Sequence, residues 1–146
     1  MSQRPHLNES QWDFLCKELD NLHLMAEERG FRTAYHHHMG TVCQSAEDIY
    51  TLMNGTERIG LLYDTGHLAP AGADCLEVLK NHWQRISHVH FKNIRKSVLW
   101  QSMQRNDSFH QLLLNGGFTC PGDDGYDNAD YTYWKAVENT LLGISL

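Results

Sequence analysis

Apolar residues in the first part of the chain repeat at intervals of three and four, which is the period of one face of an α-helix. The segment begins at Asn8, whose side chain can cap a helix, and Gln11 three residues later completes a capping-box pattern. Gly30 follows the last apolar position and suits the end of the helix. The sequence therefore predicts an amphipathic helix with one apolar stripe, formed by Trp12, Leu15, Cys16, Leu19, Leu22, Met25 and Ala26.

Three short segments after this helix have the character of buried strands, namely Phe31–His37, Ile59–Tyr63 and Arg85–Phe91. They recur at intervals of about 27 residues, which is the length of one βα unit. Helices are predicted between them, starting after Ser45 and Asp74, because both residue types cap helices well. Since strands alternate with helices, the sequence predicts an α/β fold with parallel strands covered by helices.

The chain after the third strand is less regular. Two short helices are predicted at Ser97–Gln104 and Asp107–Leu114, followed by a weak strand or loop at Phe118–Gly122. A terminal helix is predicted around residues 130–142. No stretch has the composition of a linker, so residues 1–146 are predicted to form a single domain.

Composition narrows the classes of function. Lys+Arg 12 against Asp+Glu 18 give a formal net charge of −6 with no basic cluster, which argues against a nucleic-acid partner. No apolar run reaches the length of a membrane span, and the first residues lack the apolar core of a signal peptide, so we expect a cytoplasmic protein. The dispersed cysteines favour reduced thiols over a disulfide framework. At 146 residues the chain is short for a complete (β/α)8 barrel, which usually needs about 250.

The predicted second strand ends in an aspartate with the chemistry of a metal ligand. Asp64 closes an apolar run, where a buried and unpaired charge would be costly. A cation bound at the strand end would remove that cost, and the alternative is that Asp64 only caps the following segment. His67, at the start of the predicted loop, could contact a ligand of the metal or be an ordinary surface histidine.

The third strand carries two histidines and a lysine on one face, because side chains two positions apart point the same way. His90, nearer the carboxyl end, is the better metal ligand, and the alternative is a core histidine with satisfied hydrogen bonds. His88 is expected one layer deeper, hydrogen-bonded to a neighbour. Lys92 could bind a substrate oxygen or move a proton, or simply lay its stem on apolar surface.

In the first strand the same parity places His36 and His38 on one face, with Tyr35 and His37 on the other. Either His36 or His38 is expected to reach the metal, and the sequence does not decide between them. A mixture of imidazole and carboxylate suits Mn²⁺, Co²⁺, Fe²⁺ or Zn²⁺ better than Ca²⁺. The chain has no nucleophile-elbow, P-loop or dinucleotide-binding motif, so those classes of enzyme lack support.

Four motifs, taken in order, resemble one known family. They are YHHHMGT at 35–41, LLYDTGHL at 61–68, ISHVHFKNIR at 86–95 and GGFTCPGDDG at 116–125. The family they resemble is inosose dehydratase, also called 2-keto-myo-inositol dehydratase, in the xylose-isomerase-like superfamily of TIM barrels. The resemblance implies about the second half of a (β/α)8 barrel, beginning just before the family's fifth strand.

The resemblance also implies a divalent metal at the carboxyl ends of the strands, usually bound by Glu, Asp, His and Glu. Asp64 matches the Asp and His90 matches the His, while His36 falls at or near the first Glu. His67 matches a histidine that contacts substrate. The final Glu has no match, so the site formed by this chain alone is expected to be incomplete.

The reaction that the resemblance implies is loss of water from 2-keto-myo-inositol in inositol catabolism, with Mn²⁺ or Co²⁺ and, in the family, glutathione. His67 and Lys92 are the candidates for proton handling and, with His38, for contact with the small keto-polyol substrate. One alternative is a sugar isomerase or epimerase of the same superfamily. Another is a non-catalytic remnant or subunit that binds metal or a partner chain, since the isolated chain is expected to be weak or inactive.

Association is expected on physical grounds. Half of a barrel leaves two unpaired sheet edges and an apolar inner face open to water, and such surfaces drive association. We therefore expect a homo-oligomer or a complex with a partner half-barrel.

Overall fold

Three parallel strands form the central sheet of the protein, in the order β1-β2-β3. The structure is a computed structural model and describes residues 4–120. Its helices are α1 Glu9–Glu27, α2 Ala46–Gly55, α3 Thr65–Leu68, α4 Cys75–His82, α5 Lys96–Gln104 and α6 Phe109–Leu114. Its strands are β1 Ala34–His36, β2 Gly60–Asp64, β3 Ile86–His90, β4 Asn93–Ile94 and β5 Phe118–Thr119. The predicted α/β fold with parallel strands and covering helices is confirmed.

Side-chain caps fix the starts of the helices that precede the site. Asn8 and Gln11 form the predicted capping box of α1. Ser45 caps α2, where Asp48 completes a second capping box. Asp74 caps α4 by accepting hydrogen bonds from two backbone amides. Because each cap satisfies backbone donors that no helical carbonyl can reach, these starts are set locally by the sequence.

The core lies between one face of the sheet and helices α1, α2 and α4. Leu61 and Tyr63 of β2 are fully buried on this face, and the Tyr63 hydroxyl donates to the carbonyl of Cys75 at 2.8 Å. The other face of β2 points away from these helices and ends in Asp64. Burial of alternate β2 residues against the helices therefore directs the aspartate towards the opposite side of the sheet.

The predicted apolar stripe of α1 is only partly covered in the described part of the chain. Cys16 is buried, and Trp12, Leu15 and Leu19 pack against the core. Leu22 and Met25, which were expected on the same buried stripe, are more than half exposed. The reason is that α1 packs against α2 through the flank that carries Cys16, so the flank on the far side has no neighbour within residues 4–120.

The amino ends of the strands are held by charged side chains that bind backbone groups. The Arg85 guanidinium donates to the carbonyl oxygens of Thr56 and Ile59 at 2.9 and 2.7 Å. The Asp20 carboxylate accepts hydrogen bonds from three consecutive backbone amides, at positions 57, 58 and 59. Although partial burial opposes ionisation, these amides and Arg85 hold the pKa of Asp20 below its ordinary value. This end of the sheet is therefore occupied by structural contacts.

A smaller unit follows the sheet. Strands β4 and β5 pair antiparallel, which confirms a short strand at Phe118, and Arg95 ties them by donating to the carbonyls of Gly116 and Phe118. Ile94, Leu99 and Leu112 form its core. Across the described residues no helix is both long and apolar enough to cross a membrane. The PGDDG motif at 121–125 and the terminal helix predicted around 130–142 lie outside the described residues.

Candidate metal centre

Asp64 lies at the carboxyl end of the central strand and is fully buried. Its two carboxylate oxygens have different partners. Oδ1 accepts a hydrogen bond from the backbone amide of Gly66 at 2.8 Å, which makes Asp64 the N-cap of α3. Oδ2 points towards the carboxyl ends of the neighbouring strands. The N-cap role that the sequence analysis offered as the alternative to metal binding thus uses one oxygen and leaves the other available.

Nitrogen atoms from all three strand ends meet at Asp64 Oδ2. His36 Nε2 lies 3.0 Å away and His90 Nδ1 lies 3.2 Å away, while the Lys92 ammonium also donates to this oxygen. His67 Nε2 is at 3.7 Å. The sheet register explains the convergence, because Asp64 pairs with His90 in the β2–β3 ladder and β1 ends at His36.

The electrostatics of this cluster keep Asp64 ionised. Burial raises the pKa of the carboxyl group, but hydrogen bonds from the Lys92 ammonium and the His36 imidazole outweigh it and hold the pKa below its ordinary value. The ionised carboxylate therefore offers an anionic oxygen to a cation, in competition with the Lys92 ammonium that already donates to it.

His67 lies in α3 and not in a loop, and it is buried, so the surface-loop alternative is wrong. Burial lowers the pKa of His67 to about 3, which keeps the ring neutral at ordinary pH. The amide of Met39 donates to His67 Nδ1 at 3.5 Å, so the ring proton belongs on Nε2, which faces Asp64. This tautomer suits hydrogen-bond donation to a bound molecule better than ligation through Nε2.

The residues present fit a divalent cation. Among residues 4–120, the ligand atoms of His36, Asp64 and His67 all lie within 4.8 Å of one another, although the tautomer of His67 favours hydrogen-bond donation over ligation. Two metal–ligand bonds of about 2.1 Å span at most roughly 4 Å, so the distances from Asp64 Oδ2 to His36 and His90 are also compatible with a shared ion. The imidazole and carboxylate donors suit a borderline metal ion better than Ca²⁺.

The two remaining histidines of the predicted cluster, His38 and His88, make no hydrogen bond to Asp64. His38 donates from Nδ1 to the carbonyl of Met39 at 2.8 Å and packs against His67, with ring centroids 3.8 Å apart and ring planes tilted by 41°. His36, rather than His38, therefore touches Asp64. His88 was expected to be buried and hydrogen-bonded, but it is exposed and its side chain has no hydrogen-bond partner within residues 4–120. The reason is that no described segment packs over the inner face of β3.

Two residues of the site were missed by the sequence analysis. The Thr65 hydroxyl donates to the carbonyl of Lys92 at 3.0 Å and accepts from its amide at 3.2 Å, which fixes the backbone below the ammonium group. A residue larger than glycine would not fit at Gly66, because its Cβ would lie 2.6 Å from Lys92 Cδ. The clue in the sequence was the Thr-Gly pair directly after Asp64. The sequence around this pair does not show that its partner is Lys92.

Parallel strands covered by helices, with polar side chains gathered at the carboxyl ends of the strands, are the arrangement found in α/β barrels. Similarity to a known protein family identifies the kind of barrel. A family model described as Xylose isomerase-like TIM barrel matches residues 2–136. The chain belongs to this family.

Curated relatives are similar over nearly the whole chain. Inosose dehydratase of Bacillus velezensis is 39% identical over 147 residues, covering 93% of this chain and 49% of that protein. Inosose dehydratase of Clostridium perfringens is 45% identical over 123 residues, covering 83% of this chain and 41% of that protein. The chain thus spans about half the length of the curated relatives it matches.

A solved structure shares the fold. The crystal structure of the probable 3-DHS dehydratase AsbF involved in petrobactin synthesis, from Bacillus anthracis, superposes with a TM-score of 0.67. The match covers 90% of this chain and 48% of that one, at 15% sequence identity. At this sequence identity the structural similarity shows a shared fold only. Because the match covers about half of that structure, it agrees with a partial barrel.

Proposed function

We propose that this chain contributes the metal-binding half of an inosose dehydratase-like lyase. The observation that carries the proposal is the convergence of His36, His90 and Lys92 on one buried oxygen of Asp64. The similarity to inosose dehydratases over more than nine-tenths of the chain supports the reaction class. The proposed substrate is 2-keto-myo-inositol, and the proposed cofactor is Mn²⁺ or Co²⁺.

In this proposal Asp64, His36 and His90 hold the cation at the strand ends. When bound, the cation polarises the substrate ketone and makes the neighbouring C–H acidic. Asp64 supplies the negative charge, and the imidazoles of His36 and His90 supply nitrogen lone pairs. The Gly66 amide on Oδ1 keeps the carboxylate from rotating, so Oδ2 stays aimed at the site.

Lys92 is proposed as the acid and His67 as a hydrogen-bond donor to the substrate. Loss of water requires a base to take the C–H proton and an acid to protonate the departing hydroxyl group, and the base is proposed to lie on the strands that complete the barrel. The Lys92 ammonium carries a proton next to Asp64, and Thr65 and Gly66 fix its position. His67 is neutral, and its Nε2–H can donate a hydrogen bond to a substrate hydroxyl, with the His38 ring packed against it.

Catalysis is proposed to need further strands. Residues 4–120 supply three strands of the parallel sheet, whereas a complete barrel encloses its site with eight. The chain alone is therefore expected to dehydrate 2-keto-myo-inositol weakly or not at all, and addition of the amino-terminal half of an inosose dehydratase should raise turnover. The measurement is loss of substrate and appearance of the dehydrated dione by NMR, with and without Co²⁺.

The outcomes of that experiment separate the competing functions. Interconversion of ketoses without loss of water would replace the lyase with an isomerase or epimerase. Binding of Co²⁺ without turnover in either preparation would indicate a non-catalytic metal-binding subunit. Full metal-dependent turnover by the 146-residue chain alone would contradict the requirement for additional strands.

We also propose that the chain associates, with a second copy or with a partner half-barrel. The support is an exposed apolar surface on the far flank of α1, where Phe14, Leu22 and Met25 are each more than half exposed beside Phe31. The inner sheet face contributes less than expected, because it presents His88 and His90 and is not mainly apolar. Light scattering at tens of micromolar should show a dimer or larger species, and a stable monomer would contradict the proposal.

A further inference from the structure

His37 is a buried side chain that reaches the site from behind. It is fully buried, and its Nε2 accepts a hydrogen bond from the backbone amide of Asp64 at 3.2 Å. Its other ring nitrogen, Nδ1, is buried without a hydrogen-bond partner among the described residues. The one hydrogen bond of the His37 ring among the described residues is therefore made with the backbone of Asp64, the residue at the centre of the site.

This hydrogen bond lies just beyond the regular pairing of β1 with β2, whose last pair is His36 with Leu62. After β1 the backbone turns, and the amide of His38 donates to the carbonyl of Cys43 at 3.0 Å. The His37 ring thus supplies a cross-strand acceptor at the point where the ladder has ended. An apolar side chain could fill the same space without burying an unpaired ring nitrogen, so packing alone does not account for a histidine here.

Two groups then hold Asp64 from different sides. The Gly66 amide binds Oδ1 of the carboxylate, and the His37 ring binds the backbone amide. Because the Asp64 amide donates to Nε2, this nitrogen carries the lone pair and the ring proton belongs on Nδ1. With its backbone and one oxygen fixed, Asp64 can present Oδ2 only towards His36 and His90.

We propose that His37 is a positioning residue, which sets the affinity of the centre for a divalent cation by fixing the backbone of Asp64 without touching the ion. The effect on the ion rests on the proposed function, whereas the hydrogen bond can be tested by itself. Groups that orient metal ligands from outside typically change metal affinity by about 10- to 100-fold.

The test compares His37→Gln with His37→Asn. The Gln side-chain oxygen can reach the position of Nε2, whereas the Asn oxygen is one bond too short. We expect His37→Gln to bind Co²⁺ with nearly the affinity of the wild type. His37→Asn should lose about 10- to 100-fold and show an altered Co²⁺ absorption spectrum, which a general loss of stability would not produce in the folded protein. Equal affinity and equal spectra in both variants would overturn the proposal.

If a variant does not fold, nitrogen-15 NMR and amide hydrogen exchange on the wild type test whether His37 Nε2 accepts a hydrogen bond from the Asp64 amide. An unprotonated Nε2 on His37 together with a protected Asp64 amide supports the proposal, and a protonated Nε2 overturns it. Co²⁺ binding and the tautomer of His37, both measured on the wild type, also separate the proposed metal-dependent function from the proposed role of His37. If wild-type protein binds no Co²⁺, the proposed metal-dependent function fails and the role of His37 in metal affinity fails with it, while the tautomer still reports whether the hydrogen bond exists.

Discussion

Asp64→Asn should lose Co²⁺ binding by roughly 100-fold or more, because it removes the charge of the central ligand and changes to outer groups alone already cost about 10- to 100-fold. The amide side chain keeps an oxygen that can accept from the Gly66 amide, and asparagine caps helices as well as aspartate does. The variant should therefore fold, with its defect confined to the centre. Isothermal titration with Co²⁺, supported by the Co²⁺ absorption spectrum, measures the loss.

Asp74→Asn is the matched control for this experiment. Asp74 is also a helix N-cap, and it accepts from the amides of Leu76 and Glu77 at the start of α4, away from the strand ends. Its replacement should leave Co²⁺ affinity unchanged. If Asp64→Asn and Asp74→Asn bind Co²⁺ equally well, Asp64 is a helix cap and not a metal ligand.

If the proposed function holds, Lys92→Met is expected to lower dehydration of 2-keto-myo-inositol by about 10²- to 10⁴-fold, the usual contribution of a positioned acid or base. Co²⁺ affinity should not fall, because the ammonium is a like charge that competes for Asp64 Oδ2. Methionine retains most of the stem that packs on Gly66. The measurement is turnover of the chain combined with the amino-terminal half-barrel, beside Co²⁺ titration of the same preparation.

An exposed lysine on α4, Lys80, provides the comparison. Lys80→Met removes the same charge at a distance from the site and should leave both turnover and metal binding intact. If turnover of Lys92→Met equals that of Lys80→Met, Lys92 has no part in proton transfer. If Lys92→Met loses Co²⁺ binding together with turnover, the lysine supports the structure of the centre and does not act as an acid.

The helix starts were predictable from short segments of sequence. Asn8, Ser45 and Asp74 cap helices as expected, because a cap joins a side chain to backbone amides only two or three residues away. The alternation of strands and helices was likewise sufficient to predict a parallel α/β sheet, which is confirmed. The extent of the first strand was less predictable, because β1 pairs only over Ala34–His36, within the longer segment expected.

On α1, the pattern of apolar residues predicted the helix but not which of those residues are buried. Periodicity identified one apolar stripe, but it could not tell which part of that stripe a neighbour covers. Cys16 is buried against α2, whereas Met25 on the same helix is exposed, because burial depends on which elements pack nearby and not on the helix itself.

The sequence by itself determined that Asp64 and His90 stand at the ends of strands, because strand parity and the position of each strand's end are local properties. Only the tertiary structure decided that His36, and not His38, touches Asp64, that His67 is buried, and that His37 binds the Asp64 amide. These contacts join residues more than twenty-five positions apart. They depend on the register between strands and on the turn after β1, which are set by the packing of the whole sheet.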